Sequence, residues 1–416
     1  MGFIFAAIGS AVGLGNIWRF PMSVQENGGG AYLIPYLAVT FVFGLSLMVV
    51  EISTGAKFGT NIVSTFRKLK SGYLGLFVAG VSVVVISYYL VITGWVLGFT
   101  WHFLTNTPIS FEGFTSGVTP LLFFVVSLVV TAGIIASGVQ DGIEKAVSIF
   151  IPLIFLTLVG LVIYSATLPG FTKGVGYFLE PDFSVLGNPG IWDNAFGQAF
   201  FSLSIGQALL FTYGTYLDDE EGLIKTSVII TVSNFFVAFL VGLVIFPLVF
   251  TFGSGTSTLG SGRQLAFVTL PKMFYGMAEP WGMVLGTVFF ALLFIAALSS
   301  ALAYVEVPVS VLIGRGASRQ RATTVVFALL LVTGFPAALS YAGSPGLTLF
   351  GERIFDVMND AAGNYLLPLS GLVTAVGFTW YSKDKVGKSD FVYYITKYAL
   401  PVALTVVILG KIYSVL

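Results

Sequence analysis

Gly9-Ser10-Ala11-Val12-Gly13-Leu14-Gly15-Asn16 stands in the middle of an apolar run over residues 1–20. A run of that length reads as a helix crossing a bilayer, yet each glycine costs a helix about 1 kcal/mol relative to alanine. The glycines therefore mark a place where the helix gives up its regular hydrogen bonds. At membrane depth, unwound backbone is tolerated only where it is buried in protein or lines a cavity, and its freed carbonyls can then hold a cation. Close packing of small residues is the plainer explanation of such glycines. Asn16 and Arg19, which follow directly, weigh against it.

Similar apolar runs recur along the rest of the chain, at 31–56, 73–105, 119–137, 146–167, 191–217, 223–252, 281–313, 321–342, 354–381 and 391–414. Barrel strands are excluded, because they alternate over only about 10 residues. Of the 416 residues, 56% are hydrophobic and 9% charged, against about 25% charged in soluble domains. No segment remains for a soluble domain. The expected fold is an all-α polytopic membrane protein with eleven transmembrane helices, embedded in the lipid bilayer.

Nineteen basic residues balance nineteen acidic ones and cysteine is absent. Nothing points to nucleic acid, and disulfides and thiolate metal sites are ruled out. With the first helix starting in the cytoplasm, inside loops carry Lys57, Arg67, Lys68, Lys70, Lys145, Lys225, Arg315, Arg319, Arg321, Lys383, Lys385 and Lys388. Outside loops carry only Lys173, Arg263, Lys272 and Arg353. The positive-inside rule then gives a cytoplasmic N-terminus and an outside C-terminus in a cell (cytoplasmic) membrane. Met1 opens straight into the apolar run without a basic leader or cleavage site, so the first run is expected to stay as a helix.

The sixth run has its own interruption, Phe201-Ser202-Leu203-Ser204-Ile205-Gly206-Gln207. The first and sixth spans correspond if residues 1–168 and 191–381 form two five-helix repeats of inverted topology, with 391–414 an additional helix. Paired breaks in two such halves are the sequence mark of a transporter binding site.

The residues around the first break, Gly13-Leu14-Gly15-Asn16-Ile17-Trp18-Arg19-Phe20-Pro21 followed by Glu26-Asn27-Gly28-Gly29-Gly30-Ala31-Tyr32-Leu33-Ile34-Pro35-Tyr36, resemble the neurotransmitter:sodium symporters. That family is itself one source of the rule on broken helices. The resemblance continues through Tyr88-Tyr89, Phe201-Ser202-Leu203-Ser204, Ala297-Leu298-Ser299-Ser300 and Leu366-Leu367-Pro368-Leu369, and so covers essentially the whole chain.

The resemblance implies two Na+ sites. One would use the Ala11 carbonyl, the side chains of Asn16, Ser202 and Asn234, and the carboxylate of an amino-acid substrate. The other would use carbonyls of Gly9, Val12 and Ala296 with the hydroxyls of Ser299 and Ser300. Oxygen donors of this kind suit a hard cation without burying a fixed charge. Serine pairs in membrane helices otherwise tend to bond their own backbone.

The substrate carboxylate would meet the amides near Leu14 and Gly15, where a half-helix N-terminus favours an anion, and the Tyr89 hydroxyl. Ala11 and Ser202 border the same substrate. Gly13 stands where monoamine members of the family carry an aspartate, which argues for an α-amino acid. Val85, Phe201, Ser204, Gln207, Ser300 and Tyr304 would line the side-chain pocket. Gln207 and Tyr304 depart from the aliphatic or aromatic residues of the bacterial leucine transporter. The amide of Gln207 could meet a polar substrate or a neighbouring helix, and the amino acid stays unnamed.

Other positions depart further. Arg19 resembles the outer-gate arginine, but its aspartate partner falls on Asn359, with Asp360 one place along. The inner-gate arginine and tryptophan of relatives precede the first helix and would lie before Met1, and the expected aspartate partner aligns with Gly314. Gly142 and Pro152 have the spacing of a fifth-helix element that unwinds as the inside opens; an ordinary proline kink has the same spacing. Chloride is a second expected ion, with Tyr36, Gln198, Ser202 and Asn234 as ligands, although Ala238 leaves the fifth position without a donor.

Ionisable groups inside spans are costly and usually functional. Glu51 matches a family glutamate expected to brace the broken first helix. Glu306 is either a proton-titrating group or, the favoured reading, a bonded structural acid, and His102 is expected to be an interfacial residue.

An enzyme is not expected. There is no HExxH helix, GxSxG turn or close carboxylate pair, and Gly253-Ser254-Gly255 lacks the Lys-Ser/Thr of a phosphate loop. A channel would need a repeated polar lining. The nearest rival is a proton-coupled amino-acid transporter of the same architecture, whose relatives carry a basic residue where Ser299 and Ser300 stand. Nothing in the residues separates a monomer from a dimer.

Overall fold

The computed structural model describes residues 2–217, 222–253, 262–343, 347–382 and 389–413. Met1, Ser254, Gly255, Lys383, Lys385, Lys388 and the end of the last apolar run at 414 lie outside the described residues.

Nine helices are long and apolar enough to cross a membrane among the described residues. They are α2 (Gly30–Phe58), α3 (Gly72–Leu104), α4 (Thr119–Ala136), α5 (Val139–Ser165), α7 (Leu223–Phe252), α8 (Trp281–Ile313), α9 (Arg319–Leu339), α10 (Ile354–Trp380) and α11 (Asp390–Tyr413). The remaining two apolar runs are broken into pieces too short for that criterion. Helix α1 consists of Gly2–Ala11 and, beyond a bend, Gly15–Arg19 running into Phe20–Glu26. Helix α6 consists of Pro189–Leu203 and Leu209–Gly214.

The two 33-residue helices α3 and α8 pack against each other, and the first half of α1 lies against α8, α5 and α7. Both long helices bury most of their surface, whereas α4, α5 and α11 expose much of theirs. Burial all round explains why α3 and α8 are apolar on every face. The broken segments thus sit inside protein, where unwound backbone can find partners.

The break in α6 puts three of five residues in the left-handed region: Ser204 at φ 55°, Gly206 at 78° and Ala208 at 62°. Only Gly206 adopts that conformation without a Cβ penalty. Tertiary bonds hold the freed groups. Gly206 N donates to Glu51 Oε1 at 3.0 Å, Ser370 Oγ donates to Gly206 O at 2.5 Å, and Ser82 Oγ donates to Gln207 O at 2.6 Å. Glu51 therefore braces the sixth helix and not the first, a correction to the sequence reading. The first break needed no carboxylate, because Ser204 Oγ from α6 donates to Ser10 O at 2.7 Å and ties the two breaks together.

The loops hold structure that periodicity did not show. Residues 262–275 form a short helical segment whose Phe267 packs edge-on to Trp18 and Trp95. A two-residue hairpin, Thr348–Leu349 with Glu352–Arg353, precedes α10. Helix α5 runs unbroken across Gly142 and Pro152 from a wide turn at Val139–Glu144.

Candidate functional site

At the first break, Asn16 Nδ2 donates to Asn234 Oδ1 at 2.8 Å, to Asn234 O at 3.0 Å and to Ser202 Oγ at 3.3 Å. Ser202 Oγ donates to the same Asn234 Oδ1 at 2.8 Å. That end of the Asn234 amide also lies 2.9 Å from Ala11 O and 3.3 Å from Ser202 O. Acceptors that close need either a turned amide or a cation between them. Helices α1, α6 and α7 thereby bring Ala11, Asn16, Ser202 and Asn234 into one buried cluster of oxygens.

The second expected set also converges. Ser299 Oγ lies 2.9 Å from Ala296 O, 3.0 Å from Gly9 O and 3.5 Å from Val12 O. Ser300 Oγ lies 3.3 Å from Gly9 O and 3.4 Å from Ser10 O. The Ser299 hydroxyl carries one proton and faces three carbonyls, a surplus of acceptors that suits a hard cation. These residues fit sodium in both places: neutral oxygens, buried, from unwound backbone and facing helices.

Between the two clusters, Leu14 N and the Tyr89 hydroxyl meet at 3.5 Å. A Cβ on Gly13 would stand 2.4 Å from Ser300 Oγ and 3.2 Å from Tyr89 Oη, and one on Gly15 would stand 2.7 Å from the Phe201 ring. A Cβ at either glycine would thus press on a side chain of the site. Ala11, Leu14, Gly15, Tyr89, Phe201, Ser202, Ser204, Ser300 and Tyr304 share one small cavity. Val85 and Gln207 are buried but do not border it. Gln207 instead accepts the Tyr304 hydroxyl through Oε1.

Of the expected chloride ligands, Tyr36 Oη lies 3.3 Å from both Ser202 Oγ and Asn234 Nδ2. Gln198 turns its Nε2 to Gly15 O at 2.9 Å. Three of the four converge, and the fourth serves the first break.

Above the small cavity opens a vestibule of about 630 Å³, whose walls include Arg19, Phe201, Asn359 and Asp360. Among the described residues, no hydrogen bond or ion pair joins Arg19 to Asn359 or Asp360, which face it across the vestibule. The Arg19 guanidinium lies over the Phe201 ring at 4.9 Å, and Asn359 Nδ2 donates to Asp360 Oδ1 at 3.1 Å. A pair that sequence reasoning missed stands at the mouth instead. Arg263, from the short helical loop, is ion-paired to Asp356 at the start of α10, and Tyr341 Oη donates to Asp356 Oδ2 at 2.8 Å. Arg353 stacks on the Tyr341 ring at 4.1 Å.

At the far end, Glu306 in α8 is buried and bonded as expected. Arg319 reaches its two oxygens at 3.0 and 2.6 Å, and Tyr216, just past α6, donates to Oε1 at 2.6 Å. A Cβ on Gly314 would stand 2.1 Å from Asn61 Nδ2, so a side chain there would make the Asn61 amide move.

The comparisons agree with this geometry. The model of the sodium:neurotransmitter symporter family matches residues 1–114 and 109–396. A protein of Haemophilus influenzae described as an uncharacterized sodium-dependent transporter is 32% identical, covering 99% of this chain and 96% of its own. A sodium-dependent transporter of Methanocaldococcus jannaschii is also 32% identical, covering 93% and 82%. The crystal structure of MhsT in complex with L-phenylalanine superposes with a TM-score of 0.86 at 33% identity, covering 99% of this chain and 98% of that one. The fold and the paired breaks define a multi-pass membrane transporter, and the chain belongs to the sodium:neurotransmitter symporter family. These relatives are described as sodium-dependent transporters.

Proposed function

We propose that the chain is a sodium-coupled symporter that imports an α-amino acid with two sodium ions by alternating access. The observation that carries this reading is the pair of oxygen clusters at the breaks, with the amide of Leu14 and the hydroxyl of Tyr89 between them. Asn16, Ser202, Asn234 and Ala11 would take one ion, completed by the substrate carboxylate. Gly9, Val12, Ala296, Ser299 and Ser300 would take the other. The bound L-phenylalanine of the MhsT structure supports an amino acid as the cargo.

In this reading the chain crosses the cell membrane eleven times, the broken α1 and α6 each crossing once. Residues 1–168 and 191–381 are inverted repeats and 391–414 is an added helix, with the N-terminus inside. The break segments move against α3 and α8. Arg263 and Asp356 close the outside. Tyr216, Glu306 and Arg319 close the inside. Chloride, held near Tyr36, Ser202 and Asn234, would balance part of the ionic charge.

The driving force suffices. A tenfold sodium gradient supplies about 1.4 kcal/mol per ion, and about 100 mV adds about 2.3 kcal/mol per charge. Two ions offer roughly 7 kcal/mol, enough for a substrate gradient on the order of 10⁵.

A proton-coupled transporter is the second reading; Ser299 and Ser300, in place of a basic residue, favour sodium. A thermal-shift screen of the twenty amino acids on purified protein, in sodium and again in potassium, tests the choice. Stabilisation by a few amino acids in sodium alone supports the symporter. Stabilisation indifferent to sodium supports the rival.

A further inference from the structure

The end of α10 and the start of α11 are clasped together. Trp380 Nε1 donates to Lys397 O at 2.8 Å, and Tyr393 Oη donates to Thr379 O at 3.0 Å. Lys397 Nζ donates in turn to Tyr393 Oη at 3.2 Å, and it lies 5.2 Å and 5.6 Å from the ring centroids of Tyr393 and Tyr398. An ammonium carries three N–H groups. Two of these find no acceptor among the described residues, and no carboxylate there pairs with Lys397.

The same stretch turns rings outward. Trp380, Tyr381, Phe391, Tyr394 and Tyr398 are each 47–62% exposed, and tryptophan and tyrosine collect on membrane proteins at the level of the lipid headgroups. Tyr393 is buried and Tyr398 exposed, so the ammonium between them sits where protein meets lipid. Lys397 lies about 10 Å along α11 from its start at Asp390. A helical side chain leans toward the N-terminus of its helix, and the bond to Tyr393 shows this one doing so. The amine thus reaches back from the apolar depth toward the surface, with its stem along the protein.

From this we infer that Lys397 and the aromatic side chains around it form a binding site for the headgroup phosphate of an anionic phospholipid. At this depth the phosphate is the anion that a bilayer offers, and the amine has N–H groups to spare for it. Charge then selects the headgroup. Lys383, Lys385, Lys388 and Lys397 outnumber Asp384 and Asp390 over this stretch of sequence. A headgroup that keeps a net negative charge gains from that excess, whereas a zwitterionic one brings its own ammonium to the lysines. Basic residues beside a membrane helix attract anionic lipid in this way. Seated there, the lipid would fasten the α10–α11 clasp to one leaflet, which is the cytoplasmic one when the N-terminus is inside.

The test reconstitutes the full chain in phosphatidylcholine vesicles that contain a rising fraction of either brominated phosphatidylglycerol or brominated phosphatidylcholine. Bromine on the acyl chains quenches nearby tryptophan, and Trp380 is exposed beside the site. The dependence of quenching on lipid fraction gives the relative affinity of the two lipids. Phosphatidylglycerol is expected to be favoured about fivefold. Lys397→Gln keeps every tryptophan and should bring the ratio to about one, while Lys397→Arg keeps the charge and should hold the preference. Should Lys397→Gln fail to fold, displacement of the brominated phosphatidylglycerol from the native chain by its unbrominated form, but not by phosphatidylcholine, carries the test. Equal quenching by the two lipids in the native chain overturns the inference. So does a preference that survives Lys397→Gln, or one that Lys397→Arg loses as well. Neither substrate nor a sodium gradient is present, so the outcome is independent of the symporter reading.

Discussion

Arg319 holds both carboxylate oxygens of Glu306, at 3.0 and 2.6 Å, and so fastens the start of α9 to the last turns of α8. The same arginine donates Nε to Ile135 O at the end of α4, and Tyr216 brings in the far end of α6. Four elements meet at this one ion pair. Removing one partner of such a pair leaves an uncompensated charge, at a cost of about 3–5 kcal/mol. Arg319→Ala is therefore expected to lower the unfolding temperature more than the double variant Arg319→Ala/Glu306→Gln. Equal losses in the two proteins would show that the carboxylate does not depend on the pair.

The outer mouth is expected to answer to Asp356 and not to Asp360. The native chain has no cysteine, so a single Asn359→Cys reports on the vestibule through its rate of modification by a membrane-impermeant thiol reagent. Adding Asp356→Asn should raise that rate several-fold, since it removes the ion pair to Arg263. Adding Asp360→Asn should change it little. The opposite order would return the gate to Arg19 and Asp360.

Glu51 is expected to matter through the backbone it bonds. Glu51→Leu orphans the buried Gly206 N–H, a loss of about 1–3 kcal/mol, and should lower both the unfolding temperature and uptake. Glu51→Gln keeps an acceptor and should recover much of each. If Gln and Leu behave alike, the charge and not the hydrogen bond is what α6 requires.

Gly13→Ala is a test of close approach. Its Cβ would stand 2.4 Å from Ser300 Oγ, between the groups that receive the substrate and the second ion. Stabilisation by substrate in sodium should disappear while the protein without substrate unfolds near the native temperature. Retained substrate stabilisation would mean that the carboxylate binds elsewhere.

The breaks were legible because glycine, serine and amide residues inside a lipid-spanning run have few structural reasons to be there. Gly9 to Asn16 stood out by composition, and Phe201 to Gln207 by its place in the sixth run, matching the first. Their partners did not. Asn234 and Ser299 look like ordinary helix residues, and only the family resemblance linked them to the breaks. Arg263 and Asp356 lie 93 residues apart, on a loop and a helix start that no periodicity connects. Glu51 was recognisable as functional from its depth, but which break it serves depends on how α2 packs, and the sequence read that wrongly. The Tyr304–Gln207 bond was visible only as two polar residues where apolar ones were expected.

Uptake into proteoliposomes with an imposed inward sodium gradient tests sodium-coupled amino-acid transport most directly. The account predicts accumulation of a radiolabelled amino acid above equilibrium, lost when sodium is replaced by potassium and much reduced in Asn16→Ala. Accumulation driven equally well by an inward proton gradient without sodium would contradict it.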